Sequence, residues 1–292
     1  MEVILCQETG FCVGVRHALS VTNELLEHGV KPICILHDLV HNEFVVRELV
    51  ARGVRIVDSP YGLEPGTTLI FSAHGVSEST EAEARSLPLH VIDATCPLVK
   101  QVHQYGRGLS EEGYVVLLFG KEGHREVEGI LGRIPGEKIL LRSLEDARSF
   151  IPDPRKKYAC ISQTTFNNRT LEQMKLVLAE KIPSLLSSHA KVCHSTAARQ
   201  NAVCSLARKC DLVVIVGSSE SSNTRRLCEI SEDAGTRAIL VTSPDDLTLE
   251  TCGNAECVGV ASGASAPDDL VSKVYEKLLS FAKIKTQKKS TD

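Results

Sequence analysis

What this 292-residue chain lacks narrows its class before any motif is read. It has no excess of basic residues: 33 lysines and arginines stand against 37 aspartates and glutamates, a net charge of −4. Nothing there neutralises a phosphate backbone, so no nucleic acid is expected as partner. No stretch approaches the roughly 18 apolar residues that span a bilayer, and the opening MEVILCQETGFCVG has neither a basic n-region nor a long apolar h-region. The expectation is a cytoplasmic protein with no membrane partner. No GxxxxGKS is present and no GxGxxG follows the first expected strand, which removes the usual nucleotide-binding loops. Apart from His37 and His41, four apart in a turn-rich segment, there is no CxxC or HxxxH pair, so structural zinc has little support. Apolar residues at 42% and charged residues at 24% exclude collagen, a coiled coil and a disordered chain.

What is present is an α/β pattern. Short apolar runs alternate with stretches of helical period, and each run ends in Gly, Ser, Thr, Asn or His, as in βαβ units with parallel sheets. Strands are expected near residues 2–6, 32–36, 68–72, 89–93, 114–119, 157–161, 211–216, 237–242 and 256–261. Two clear helices follow, 15–28 stopped by Gly29 and 97–112 opened by Pro97 and closed by Gly113. At about 150 residues per domain the length allows two domains or three small ones.

Eleven cysteines in a cytosolic-looking chain do not read as disulfides. Cys6, Cys34, Cys160 and Cys257 lie in apolar strand-like runs, Cys204, Cys210 and Cys228 in helical patterns and Cys252 in TCGN; all eight read as small buried hydrophobes. Cys12, Cys96 and Cys193 differ. They sit in turns 84 and 97 residues apart, and each precedes a helix carrying a cation, Arg16, Lys100 and Arg199. A thiol at a helix N-terminus near positive charge is poised as a thiolate ligand or nucleophile. This divides the chain into a first α/β unit at 1–95, a second at 96–192, a third at 193–282 and a basic flexible tail at 283–292.

Polar clusters follow the expected strands, at the sheet edge where open α/β folds bind ligands. They are AHGVS with His74, ATCP, GKEGHREVEG with His124 and Glu126, SQTT with Thr164, GSSESSNT with Ser221, Ser222 and Asn223, and ASGASAP with Ser265. Taken singly, each reads as well as a helix N-cap. Together, hydroxyls and amides at helix starts suit a small phosphate or diphosphate ester. Three distant thiolates suit an iron-sulfur cluster with one iron left open, a Lewis acid toward a substrate oxygen.

The ordered set GFCVGVRHAL, LVHNEFVV, FSAHGVS, DATCPLV, GHREVEGI, SQTT, CHSTAARQNAV, VGSSESSNTRRL and ASGASAPDDLV carries a closer likeness. From residue 10 to about 279 the chain resembles the 4-hydroxy-3-methylbut-2-enyl diphosphate reductase family, the last enzymes of the methylerythritol phosphate route to isoprenoids. The resemblance implies three pseudo-repeated α/β units in a trefoil around a central cavity, with Cys12, Cys96 and Cys193 as ligands of a [4Fe-4S] cluster. It implies His41, His74, Ser221, Ser222, Asn223 and Ser265 around the diphosphate and His124 beside them. Glu126 would be the proton donor, and Thr164 would orient the substrate hydroxyl and relay protons. The substrate oxygen would bind the open iron, and electrons would come from a ferredoxin or flavodoxin. The products would be isopentenyl and dimethylallyl diphosphate.

Two positions depart from the family pattern. Val13 stands where GFCFGV has an aromatic, and Arg125 where GHPEV has proline, changes that bear on the packing beside the cluster and on the placement of Glu126. Two competing readings remain: a non-catalytic phosphate-ester binder with merely buried cysteines, and an iron-sulfur hydratase that needs no electron donor.

Overall fold

Strand β9 (Leu212–Val216) shows how the sequence builds this protein. Its five residues, LVVIV, are all buried, and because successive side chains point to opposite faces the run must be covered twice. Leu212, Val214 and Val216 pack with Val271, Val274 and Leu278, while Val213 and Ile215 pack with Val203, Leu206, Leu227 and Ile230. Each such side chain contributes roughly 1.5–3 kcal/mol by leaving water, so an aspartate at Val214 would unfold this sheet.

The computed structural model describes residues 1–289, without the side chains of 285–289. In chain order the first elements are β1 (Glu2–Leu5), α1 (Val13–Glu27), β2 (Ile33–Leu36), α2 (Glu43–Ala51), β3 (Arg55–Val57), β4 (Thr68–Phe71), α3 (Glu78–Ser86) and β5 (His90–Asp93). Next come α4 (Pro97–Glu111), β6 (Tyr114–Phe119), α5 (Arg125–Leu131), β7 (Lys138–Leu141), α6 (Leu144–Ser149), β8 (Lys157–Ser162) and α7 (Asn168–Lys181). The chain continues with α8 (His194–Ala207), β9, α9 (Ser222–Asp233), β10 (Arg237–Val241), α10 (Leu249–Cys252), β11 (Cys257–Ser262) and α11 (Asp268–Lys289). No helix among the described residues is long and apolar enough to cross a membrane.

The class is α/β, with three separate sheets in which every recorded strand pairing is parallel. The chain forms two units. One comprises Met1–Val13, His41–Val45 and His194–Asp292 and holds the sheet β1-β11-β9-β10. The other comprises Gly14–Val40 and Val46–Cys193 and holds two sheets, β3-β2-β4-β5 and β7-β6-β8. In the latter, Val116 and Leu118 of β6 pack with Ala159 and Ile161 of β8 under Val102, Val127 and Ile130 of α4 and α5.

The structure departs from the sequence expectations in three places. Strands β3 and β7 were not expected; both are short edge strands with half-exposed patterns, so they carry no continuous apolar run. β1 pairs in register with β11, Val3 opposite Val258, so the first strand lies in the sheet of the last third rather than with residues 14–95. The tail expected at 283–292 belongs to α11 through Lys289; Ser290–Asp292 lie outside the described residues.

Candidate active site

In a parallel sheet all strands end on the same side, and the loops there bind ligands. In the unit of Gly14–Val40 and Val46–Cys193, His74 follows β4, Cys96 follows β5, His124 and Glu126 follow β6 and Thr164 follows β8. These loops are tied to one another. The Lys121 N–H donates to Gln163 Oε1 at 3.0 Å, joining the β6 loop to SQTT, and the Cys96 N–H donates to Ala73 O at 3.0 Å, beside His74. The His74 and His124 rings stand edge to face with centroids 5.7 Å apart.

Glu126 is the group most altered by this setting. It occupies the second position of α5 and is 2% exposed. The Thr164 N–H donates to Glu126 Oε1 at 2.6 Å and Thr164 Oγ1 donates to Oε2 at 3.0 Å. Burial pushes the carboxyl up to about 7, against these two bonds, which favour the carboxylate. It is a carboxylic acid poised near neutrality, as a proton donor requires. His124 caps α5: its Nδ1 accepts the Glu126 N–H at 3.1 Å, which assigns the neutral ring's proton to Nε2. That cap bears on the departure at Arg125. The helix starts at Arg125 without the family's proline, and the side chain turns outward to Glu128 at 3.2 Å. Glu126 is held by His124 and Thr164, so its placement does not depend on proline at this point.

Of the eight cysteines expected to be buried, Cys6, Cys34, Cys160, Cys210 and Cys252 are, whereas Cys204, Cys228 and Cys257 are half-buried, as Cys12, Cys96 and Cys193 are. Cys34 and Cys160 are wholly buried in β2 and β8, and burial pushes both up, Cys160 to about 12, which leaves them inert. Cys12, Cys96 and Cys193 are half-buried loop residues. Cys96 is the N-cap of α4 and Cys193 immediately precedes α8. The Cys193 N–H donates to Thr164 O at 3.0 Å. A Cβ on Gly14 would lie 2.5 Å from the Cys96 Sγ, so only glycine lets the α1 backbone come this near the sulfur. Lys100, expected to act on Cys96, instead pairs with Asp93 at 2.6 Å. Val13 is 76% exposed. Among the described residues no three His, Cys, Asp or Glu side chains form a metal-holding group. The donor chemistry, soft sulfurs in partly exposed loops at helix starts, fits an iron-sulfur cluster and no hard cation.

The other unit holds the residues expected around a diphosphate, apart from His74. Ser221 caps α9, its Oγ accepting the Thr224 N–H at 3.3 Å, and Ser222 opens the helix. Asn223 is 4% exposed, yet neither Oδ1 nor Nδ2 has a hydrogen-bond partner. A buried amide left unsatisfied at both ends costs a few kcal/mol, and its natural partner is a ligand. A Cβ on Gly263 would fall 2.1 Å from Thr224 Oγ1, so the loop carrying Ser265 runs directly against the first turn of α9. Ser265 Oγ donates to His41 O at 3.0 Å, and the Cys12 N–H donates to Ala264 O at 2.9 Å. Cys12, His41, Ser265 and the start of α9 thus come together within this unit.

Sequence reasoning missed three residues. Asn42 caps α2, with Oδ1 accepting the Phe44 N–H at 2.9 Å, and donates Nδ2 to Ser265 O at 2.7 Å; an Asn directly before a helical pattern was the available signal. His103 of α4 is 7% exposed, its Nε2 is unpartnered, and burial pushes it down to about 4, so it is neutral. Its ring fills a notch where a Cβ on Gly75 would lie 2.7 Å from Cε1, and Gly75 has a left-handed φ of 74°. Nothing in the sequence marks it. Arg199 was singled out only as a helix cation, and the structure buries it to 3% exposure.

Comparison with known proteins places the chain in a family. The family model described as LytB protein matches residues 3–279. A 4-hydroxy-3-methylbut-2-enyl diphosphate reductase of Desulfotalea psychrophila is 40% identical over 280 residues, covering 96% of this chain and 89% of the relative. A reductase of that name from Rhodopseudomonas palustris is 36% identical over 94% of this chain and 90% of its own length. The solved E-1-hydroxy-2-methyl-but-2-enyl-4-diphosphate reductase of Plasmodium falciparum superposes with a TM-score of 0.90 at 31% identity, covering 94% of this chain and 87% of the other. Near-full-length matches of this kind leave one conclusion: the chain belongs to the LytB family, and is an oxidoreductase.

Proposed function

We propose that this chain reductively removes the hydroxyl of (E)-4-hydroxy-3-methylbut-2-enyl diphosphate, in the cytosol, giving isopentenyl and dimethylallyl diphosphate. Two electrons and two protons are consumed for each alcohol lost as water. Cys12, Cys96 and Cys193 would hold a [4Fe-4S] cluster. When bound, such a cluster supplies electrons singly, from a ferredoxin or flavodoxin-type donor, and an open iron corner as Lewis acid.

The chain's own residues do the rest. An allylic hydroxyl leaves poorly unless it is protonated, and Glu126, held near 7, carries a proton that it can give at physiological pH. Thr164 Oγ1 donates to the carboxylate and can accept from the protonated acid. It therefore passes a proton between Glu126 and the substrate hydroxyl while fixing that hydroxyl's orientation. Asn223 Nδ2, Ser222 at the first turn of α9, Ser265 and His41 receive the diphosphate, helped by the free N–H groups of the helix start. His74 and His124 complete the polar lining, with the His124 Nε2–H as donor.

The observation that carries this reading is Glu126, a fully buried carboxyl near pKa 7 whose partners inside the protein are the two Thr164 donors. The test is an anaerobic assay with the allylic alcohol diphosphate. Water and the two isoprenoid diphosphates should form only when a one-electron reductant is supplied; turnover without reductant, or binding without turnover, contradicts the proposal.

A further inference from the structure

Arg199 is a buried cation without an anion. Arginine is among the residues least often buried unpaired, yet Arg199 is 3% exposed. Its Nη2 donates to Gly10 O at 2.8 Å, and its Nη1 donates to Ser195 O at 3.3 Å and to Ser195 Oγ. The Nε–H is buried with no partner. No carboxylate pairs with it among the described residues. The Cys6 thiol lies in its field but is pushed up by burial, so it stays protonated and supplies no negative charge. A buried charge with no direct ion pair is unfavourable; the Asp268 carboxylate packs against Gly10 without pairing with Arg199 among the described residues, and the unpartnered Nε–H leaves a place for a further anion.

The two segments that Arg199 links narrow what that anion is. Gly10 stands two residues before Cys12, and Ser195 two residues after Cys193. The Cys12 segment is further fixed by the Gly10 N–H donating to Ser262 Oγ at 2.8 Å. Here a rigid planar fork, always charged, joins two thiol-bearing segments, which suits both orientation and charge. We propose that Arg199 is the positioning residue and counter-charge of the anionic thiolate centre that these segments bind. It steadies the Cys12 segment against the start of α8 while its guanidinium offsets thiolate charge. This rests on the functional reading above.

The reduction potential of an iron-sulfur cluster follows the net charge around it, so removing the cation should make reduction harder. The experiment compares wild type, Arg199→Met and Arg199→Lys, purified without oxygen, by iron and sulfide content, midpoint potential and thermal stability of the iron-free chain. Arg199→Gln serves if the methionine variant does not accumulate. Expected are a more negative potential and lower cluster content in Arg199→Met, a potential restored to the wild-type value in Arg199→Lys, and an iron-free Arg199→Met at least as stable as wild type. An unchanged potential in Arg199→Met overturns the proposal. So does a variant altered only in KM, which would assign the charge to the diphosphate, or one whose iron-free form alone is weakened, which would make Arg199 a simple backbone staple. Wild type that takes up no iron or sulfide overturns the functional reading as well, and so is told apart from the other outcomes.

Discussion

Glu126 and Asn223 are both buried polar side chains near the ends of parallel strands, 2% and 4% exposed, and the chain treats them oppositely. Glu126 has partners inside the protein, the two Thr164 donors, and burial against them sets its proton affinity. Asn223 has none: both ends of its amide are unpaired. A group that must hold and release a proton needs a fixed environment, so its surroundings are complete before substrate arrives. A group that must bind an anion needs an open valence, so its surroundings are complete only afterwards. On the proposed function, one unit carries a preset acid and the other a waiting donor.

The sharpest way to break this contrast is Glu126→Gln, which keeps the shape and removes the proton. Loss of a general acid lowers kcat on the order of 10²–10⁴-fold, with KM and iron content near those of wild type; a near-normal rate would remove Glu126 from proton delivery.

Next in size is an effect on stability. Between its ordinary value of 4.5 and about 7, folded Glu126 keeps a proton that the unfolded chain has lost. Its contribution is therefore full below 4.5 and is lost as pH rises through about 7. His103 runs the other way. Folded, it stays neutral down to about 4, whereas unfolded histidine protonates below 6.5, so its contribution is present above 6.5 and lost as pH falls toward 4. Each is worth about 3 kcal/mol, and across 4.5 to 6.5 they oppose. Urea unfolding of the iron-free chain against pH should show the two offsetting each other. Glu126→Gln should expose a stability that rises with pH, and His103→Leu one that falls. Curves for the variants that run parallel to wild type would contradict both assignments.

Asn223→Ala should raise KM for the diphosphate about 10-fold or more, since a hydrogen bond to a charged group is worth about 1.5–3 kcal/mol. Stability of the ligand-free chain should be unchanged or improved, because an unpaired buried amide is gone; a destabilised variant with normal KM would make Asn223 structural. Thr164→Val should lower kcat, because the hydroxyl that relays the proton is gone, and the smallest effect expected is the shift it causes in the pH profile. Losing the Oγ1 bond to the carboxylate raises the Glu126 pKa further, and the basic limb of the kcat profile, where the acid deprotonates, should move up by about one pH unit. A limb that stays in place would show that Thr164 does not tune the acid.

How far the sequence could be read depended on the range of the interactions involved. β6 and β9 announce themselves because buried parallel strands need unbroken apolar runs such as YVVLLF and LVVIV. β3 and β7 do not, because an edge strand is half-covered and RIV or KILL fits many local structures. The pairing of β1 with β11 joins residues some 255 positions apart, a contact that no local pattern encodes. At the site, residue types and loop positions were legible, since Ser221 and Glu126 lie in motifs. Their energetics were not: the burial of Glu126, the unpaired amide of Asn223 and the unpaired charge of Arg199 arise only when distant segments close over them.

The central claim, that Cys12, Cys96 and Cys193 are cluster ligands while cysteines such as Cys34 are packing residues, has a direct measurement. It is iron and acid-labile sulfide per chain after anaerobic purification of wild type, Cys96→Ser and Cys34→Ser. The account expects close to four of each, the [4Fe-4S] stoichiometry, in wild type and Cys34→Ser, and a collapse of both in Cys96→Ser. Equal iron in the two variants would contradict it.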